Sequence, residues 1–182
     1  MKRLFDIIAS LVALIIFSIP MLIICFLLKF KEKHPIIFKQ ERLGKNKKPF
    51  YILKFQTMVN EVPTSTGRIL RKAGLDEFPQ FFNVLKGDMS LVGPRAITQY
   101  DVERLGWNDE YHSRRWSIKP GISGWAQVYG GQHRKLSWLW DCKYLAHNHI
   151  GIDTLILLIS FAMNIFGKTK VRQVVFHNSR LK

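Results

Sequence analysis

The sequence predicts an α+β fold, mostly helical, attached to a re-entrant membrane hairpin. Three observations predict it. Residues 7–28 carry no charge, and basic residues stand at both ends of that run. Two strand-like segments, residues 36–40 and 50–55, flank Gly44-Lys45-Asn46-Lys47, the composition of a tight turn. Beyond them glycines and prolines punctuate helical patterns, without the strand–helix alternation that builds a parallel sheet.

The N-terminal run is long enough to cross a bilayer core at about 1.5 Å per residue. No small-residue cleavage site follows it; Phe30-Lys31-Glu32-Lys33 does, which argues against a signal peptide. Charge argues against a straight span. Lys2 and Arg3 precede the run, and Lys29, Lys31 and Lys33 follow it. The positive-inside rule holds both flanks on one side of the membrane, and a helix–break–helix satisfies it. Ser18 and Pro20 sit mid-run. Proline removes a backbone donor, and a serine hydroxyl can bond a carbonyl freed by the break. Residues 1–30 are therefore expected to form a re-entrant helix hairpin, with Asp6 at its entrance pairing with Arg3 or a lysine. Residues 31–182 form the second unit.

In that second unit, residues 60–67 read as a loop, and residues 68–73 as a basic helix ended by Gly74. A helix starting at Asp76 tolerates Pro79 only in its first turn, and Gly87 closes it. Residues 91–95 read as an irregular connector, residues 102–116 as helix, and Lys119-Pro120-Gly121-Ile122-Ser123-Gly124 as a rigid turn. Residues 138–148 resume a helical pattern, with Trp138, Trp140, Tyr144 and Leu145 as packing positions. Residues 155–163 are apolar but too short to span. The segment near 153–166 is expected to be an interfacial amphipathic helix in the headgroup region, or else a core helix. Aromatics such as Trp107 and Trp116 are expected on the surface, where they offer a homo-oligomer or membrane contact.

Composition narrows the partners. Lys and Arg number 28 against 13 Asp and Glu, a net charge of +15. That surplus asks for a polyanion: lipid headgroups, phosphorylated substrates or nucleic acid. Membrane surface plus phosphate needs no further assumption, because an apolar anchor is already present, so no nucleic-acid partner is expected. The two cysteines, Cys25 and Cys142, show no disulfide logic and point to a reducing compartment. His147 and His149 have no metal-ligand spacing and read as solvated or locally bonded.

The adjacent carboxylates Asp76 and Glu77 carry the candidate chemistry. Standing alone, Leu-Asp-Glu would be an N-cap and a dipole partner. At a helix start, however, both can turn to one ligand, and the helix dipole favours their ionised form. An ionised aspartate can attack phosphorus and form an acyl phosphate. A neighbouring carboxylate can hold Mg²⁺, which prefers oxygen ligands. Lys54, Arg71 and Arg95 supply cations for a transferring phosphoryl group.

At these residues the chain resembles a known family. Leu75-Asp76-Glu77-Phe78-Pro79-Gln80, Asn83-Val84-Leu85-Lys86-Gly87-Asp88-Met89-Ser90 and Val92-Gly93-Pro94-Arg95 look like the signature of the bacterial sugar transferases, monotopic polyprenyl-phosphate phosphoglycosyl transferases. Lys2-Arg3 with Asp6, Phe38 with Gln40, Arg42 and Gly44, Lys54-Phe55 with Thr57-Met58, residues 120–128, and Asp141 with Tyr144 extend the match over nearly the whole chain, in the minimal catalytic form. The resemblance implies an enzyme that moves a sugar 1-phosphate from a UDP-sugar to polyprenyl (undecaprenyl) phosphate. UMP leaves, and a covalent aspartyl-phosphosugar is the intermediate. It implies Asp76 as nucleophile and Glu77 as its Mg²⁺-associated partner, with Asp76 also near the metal. Lys54, Arg71 and Arg95 become phosphate-binding and Asp141 supporting. It implies a place at the cytoplasmic face of the bacterial inner membrane, and a role at the start of glycan or exopolysaccharide assembly.

Four positions depart from the family pattern. Gln56 stands where an arginine is usual, Ile19 separates Ser18 from Pro20, Ala96 replaces a proline after Arg95, and Gly131 replaces an arginine for which Arg115 or Arg134 would substitute. These changes are expected to alter donor binding while leaving the chemistry in place. The alternative is a catalytically inactive membrane scaffold of a glycan assembly complex.

Overall fold

The structure is a computed structural model that describes residues 1–129 and 134–176. The uncharged run becomes two helices, α1 (Lys2–Ile16) and α2 (Ser18–Phe26), with a π-helical turn at Leu27–Lys31. The chain breaks at Phe17, and the helix pair bends by 58°. Ser18 Oγ donates to the Ile15 carbonyl at 2.8 Å. Pro20 has no N–H for the Ile16 carbonyl, so the ladder fails where the sequence placed the break. No single helix among the described residues is long and apolar enough to cross a membrane; only taken together do the two bent helices reach the length and apolar composition of a span.

The predicted hairpin follows as β1 (Ile37–Leu43) and β2 (Pro49–Phe55), antiparallel, with Phe38 opposite Lys54 and Arg42 opposite Phe50. Its turn places Asn46 and Lys47 at positive φ. The stretch read as a loop holds more structure. A two-residue-strand hairpin, β3 (Met58–Val59) with β4 (Val62–Pro63), turns through Asn60 and Glu61, both at positive φ. Helix α3 (Ser65–Ala73) then starts earlier than expected, because Thr64 caps it through the Gly67 amide. Gly74 ends α3 in the left-handed region, and α4 (Gln80–Lys86) is closed by Gly87 in the same conformation.

Two expectations fail together. Residues 91–95 are not an irregular connector throughout: β5 (Ser90–Val92) pairs in parallel with a strand inside the glycine-rich turn. The pairing is non-local, and it needs backbone contact that only glycine allows. A Cβ on Gly93 would lie 2.5 Å from the Lys119 carbonyl oxygen, and one on Gly121 would lie 2.1 Å from the Gly93 nitrogen. The helix expected over residues 102–116 is instead α5 (Gln99–Leu105), opened by a Thr98–Asp101 capping box and stopped by Gly106 at φ 66°. A short 3₁₀ turn, Ser113–Ser117, follows it. After β6 (Gly121–Ser123) come α6 (Trp125–Tyr129), α7 (Arg134–Ala146), α8 (Ile150–Phe166) and α9 (Lys168–Phe176).

Three apolar clusters hold the fold. The largest joins Val84, Met89, Val92, Val128, Ile156 and Met163, with Phe5 and Ala9 of α1 packed against it. A second gathers Trp107, Trp116 and Trp138 around Val102 and Ile97. Trp107 and Trp116 are thus buried, at 2% and 5% exposure, and offer no surface contact. Aromatic rings follow the hydrophobic drive inward even from charged stretches. The third places Ile24 and Leu28 over Phe55 and Leu70, so α2 rests on the hairpin and on α3. Helix α8 is part of the core on one side and exposed and apolar on the other. Ile156, Ile159 and Met163 pack inward, while Leu155, Leu158, Phe161 and Ile165 stay exposed.

Helix α1 is also held by charge. Lys2 Nζ meets Asp153 Oδ2 at 2.5 Å, Tyr144 OH donates to Asp153 Oδ1 at 2.6 Å, and Arg3 donates to the Val84 and Leu85 carbonyls. Asp6 does not pair with Arg3 or a lysine. It is buried against β5, where Ser90 Oγ and the Leu91 amide donate to it at 2.9 and 3.1 Å. A buried carboxylate takes the fixed donors of a strand end in preference to mobile surface cations.

Candidate active site

Asp76 and Glu77 lie on a 3₁₀ turn, Leu75–Glu77, launched by Gly74 at φ 69° and leading through Phe78 and Pro79 into α4. Asn83 fixes that helix. β2 is the edge of a two-stranded sheet, so its outer backbone groups need partners. The Leu53 amide donates to Asn83 Oδ1 at 2.9 Å, and Asn83 Nδ2 donates to the Tyr51 carbonyl at 2.8 Å. One amide side chain thereby closes the edge and sets the Asp76–Glu77 turn beside Lys54, whose Nζ sits 2.6 Å from Glu77 Oε1.

Helix α3 delivers Arg71. Gly67 makes this possible: a Cβ there would lie 2.1 Å from the Thr57 carbonyl oxygen, so the helix presses directly on the β2–β3 connection. Arg71, in the last turn, rests one guanidinium nitrogen 3.1 Å from Met58 Sδ, and its charge acts on Asp76. The kink of the helix pair rests against the turn, with the rings of Phe17 and Phe78 4.6 Å apart.

The electrostatics differ from the dipole expectation. Asp76 is buried, and its carboxyl is pushed above the usual range first by burial and then by the neighbouring Glu77 charge. Lys54 and Arg71 offset only part of this. The turn before α4 is a short 3₁₀ element, and desolvation outweighs what its amides supply.

Arg95 and Asp141 belong to a second cluster. Arg95 is exposed and follows β5, while its carbonyl accepts from Arg115 at 2.5 Å. Arg115 Nε donates to Asp141 Oδ2 at 2.8 Å, both side chains being buried. These residues, with Trp107 and Ser137, line a cavity of about 10 Å³, room for one water. Arg42, within reach of the Arg95 charge, donates to the Ala96 carbonyl, Asp101 and Gln40. The hairpin connects the clusters. Lys54, Ile52 and Phe50 share a face with Phe38, Gln40 and Arg42 by register, so Lys54 and Arg42 stand about 13 Å apart along the hairpin, at about 3.3 Å per residue, with the core residues Ile52 and Phe50 between them.

The structure therefore brings Asp76, Glu77, Lys54 and Arg71 together, and sets Arg95 and Asp141 in a neighbouring group with Arg115. Ser18 sits at the helix break and Pro20 one turn into α2. Gln56 Nε2 donates to the Met58 carbonyl. Gly131 and the Arg134 side chain lie outside what is described. Sequence reasoning missed the roles of Asn83 and Asp153. No helical or strand spacing points to either: the partners of Asn83 stand about thirty positions away, and those of Asp153 stand 9 and 151 away.

Among the described residues no group of three or more His, Cys, Asp or Glu converges. Asp76 and Glu77, adjacent on the 3₁₀ turn, are the carboxylates that would hold Mg²⁺, an ion that takes one or two carboxylates together with substrate phosphates.

Residues 1–167 match the family model described as bacterial sugar transferase. The chain belongs to that family. Among its relatives, a Bacillus subtilis protein named "Uncharacterized sugar transferase EpsL" is 41% identical, over 76% of this chain and 72% of its own length. The UDP-N-acetylgalactosamine-undecaprenyl-phosphate N-acetylgalactosaminephosphotransferase of Aeromonas hydrophila is 35% identical over 86% of this chain. The UDP-glucose:undecaprenyl-phosphate glucose-1-phosphate transferase of Klebsiella pneumoniae is 34% identical over 92%. The chain spans 41% of the length of each of these last two.

Proposed function

We propose that this bacterial sugar transferase moves a sugar 1-phosphate from a UDP-sugar to undecaprenyl phosphate at a membrane surface. The observation that carries the proposal is a buried aspartate beside a second carboxylate and two cations, with the kink of an apolar helix pair resting against the turn. The Aeromonas hydrophila and Klebsiella pneumoniae relatives are named for that overall transfer, and the buried dyad supplies a route for it.

In the first step an Asp76 carboxylate oxygen attacks the sugar-bearing phosphorus of the donor. The bond to the bridging oxygen breaks, and UMP leaves with its electron pair. In the second step a phosphate oxygen of the acceptor attacks the same phosphorus. The Asp76 carboxylate is expelled, and a polyprenyl diphosphate sugar forms. Burial raises the basicity of Asp76 and strips its water, which makes its ionised form a better nucleophile. Lys54 and Arg71 hold negative charge on the transferring group. Glu77 and Asp76 would hold Mg²⁺, which when bound neutralises charge on the diphosphate. The exposed apolar faces of α2 and α8 keep the site at the plane where a lipid acceptor presents its phosphate.

The test is UMP release by the nanodisc-held protein with Mg²⁺, undecaprenyl phosphate and a panel of UDP-sugars, beside an Asp76→Asn control. Acceptor-dependent release that vanishes in the control is expected and names the sugar. Release that persists in the control would overturn the nucleophile assignment. A folded protein silent with every donor would return the chain to a non-catalytic role.

A further inference from the structure

The π-helical turn Leu27–Lys31 ends the helix pair, and Lys33 follows it at φ 55°, a conformation uncommon for a side-chain-bearing residue. An open groove of about 540 Å³ lies there, lined by Lys29, Lys33, His34, Pro35 and Ile36. The acidic residue of this stretch does not neutralise it. Glu32 turns to α3 and accepts from the Thr66 amide at 3.0 Å and from Ser65 Oγ at 3.2 Å. His34 Nδ1 lies 2.9 Å from the Pro35 carbonyl oxygen, and its Nε2 is buried without a partner. Beside the groove the rings of Phe26 and Phe30 lie 4.6 Å apart, and both residues are exposed.

Cations lining the groove and exposed rings on the helical turn that leads into it match a molecule with a phosphate head and an apolar tail. Position narrows the choice further. Ile36 lines the groove and accepts from the Gln56 amide at 2.8 Å; two residues on, Phe38 pairs with Lys54. At about 3.3 Å per residue the groove is about 7 Å along β1 from the strand position opposite Lys54. A phosphate monoester also carries up to about two charges at neutral pH, more than a phosphodiester headgroup.

We propose that the Lys29–Lys33–His34 groove receives the phosphate of the isoprenoid lipid acceptor and delivers it along β1 to the Asp76–Glu77 centre. The inference rests on the transferase reading above, and its test separates the two. The full chain is held in zwitterionic nanodiscs and compared as wild type, Lys29→Gln/Lys33→Gln, and Lys31→Gln. Lys31 is an exposed neighbour that does not line the groove. Formation of the phosphosugar adduct without acceptor is followed by intact mass, and turnover by titrating undecaprenyl phosphate.

The double variant is expected to form the adduct at the wild-type rate and to keep its donor KM. Its acceptor KM is expected to rise about thirtyfold, from two lost lysine–phosphate attractions. Lys31→Gln is expected to leave all three unchanged. An unchanged acceptor KM in the double variant would overturn the groove assignment. So would an equal rise in Lys31→Gln, or a rise seen only when anionic phospholipid is added, since either reports bulk surface charge. A wild-type protein that forms no adduct would overturn the covalent reading itself.

Discussion

Asp76 and Asp141 are two buried carboxylates, both pushed up by desolvation, yet built for opposite ends. Asp141 is locked onto Arg115 within a tryptophan cluster, and the Arg115 guanidinium returns part of what burial costs. Asp76 has no such tight partner: its immediate neighbour is a like charge, and Lys54 is committed to Glu77. Asp141 is consumed in holding structure, while Asp76 is kept under electrostatic tension beside Glu77. Burial alone therefore does not mark a reactive acid: Asp6 is as buried and lacks a cation partner, yet two donors hold it, whereas Asp76 is buried beside a like charge, the combination that points to a functional site.

Substitution sharpens this contrast, and the largest effect should come from Asp76→Asn. Turnover is expected to fall by a factor on the order of 10⁴ or more, as for loss of a covalent nucleophile. The same variant should melt higher at neutral pH. The folded pKa of Asp76 lies above its unfolded value, so the fold loses stability as pH rises from the unfolded towards the folded pKa, and the loss is complete above it. As pH falls through that value the penalty fades, and the melting gap between wild type and variant should close. Activity of the wild type should decline with acidification from a pH above the ordinary aspartate range. A variant that melts lower than wild type at pH 7 would show that Asp76 is held by partners as Asp141 is.

Next comes Arg115→Met. Breaking a buried pair leaves an uncompensated charge, at a cost of about 3–5 kcal/mol. Denaturant unfolding should show that loss, and Arg115→Met/Asp141→Leu should recover much of it. No recovery would mean that Arg115 acts mainly through the Arg95 carbonyl. Asn83→Ala should cost about 1–3 kcal/mol by leaving β2 edge groups unpaired, and should lower kcat more than donor KM by loosening the Asp76–Glu77 turn. The smallest stability change is expected from Lys54→Met. Its pair with Glu77 is partly exposed and is worth about 0–1 kcal/mol to the fold. A clear drop in kcat with a nearly unchanged melting temperature would separate its catalytic use from its structural one.

Much of this was legible in the chain itself. The helix break was written in Ser18 and Pro20, the hairpin in Gly44 and its flanking strands, and the helix ends in Gly74 and Gly87. Local backbone chemistry fixes each of these within a few residues. The central motif around Asp76 likewise named the candidate carboxylates and the family. Other features were not legible, for a common reason. The β5–β6 pair joins segments about thirty residues apart and exists only because Gly93 and Gly121 let two backbones touch. The Lys2–Asp153–Tyr144 anchor spans most of the chain. The inward turn of Trp107 and Trp116 depended on a cluster that Trp138, from another helix, completes. The sequence by itself determined which residues can do chemistry and where the chain must turn. Only the tertiary structure decided which carboxylate is paired and which is left under tension, because that depends on partners brought from distant positions and on the water they exclude.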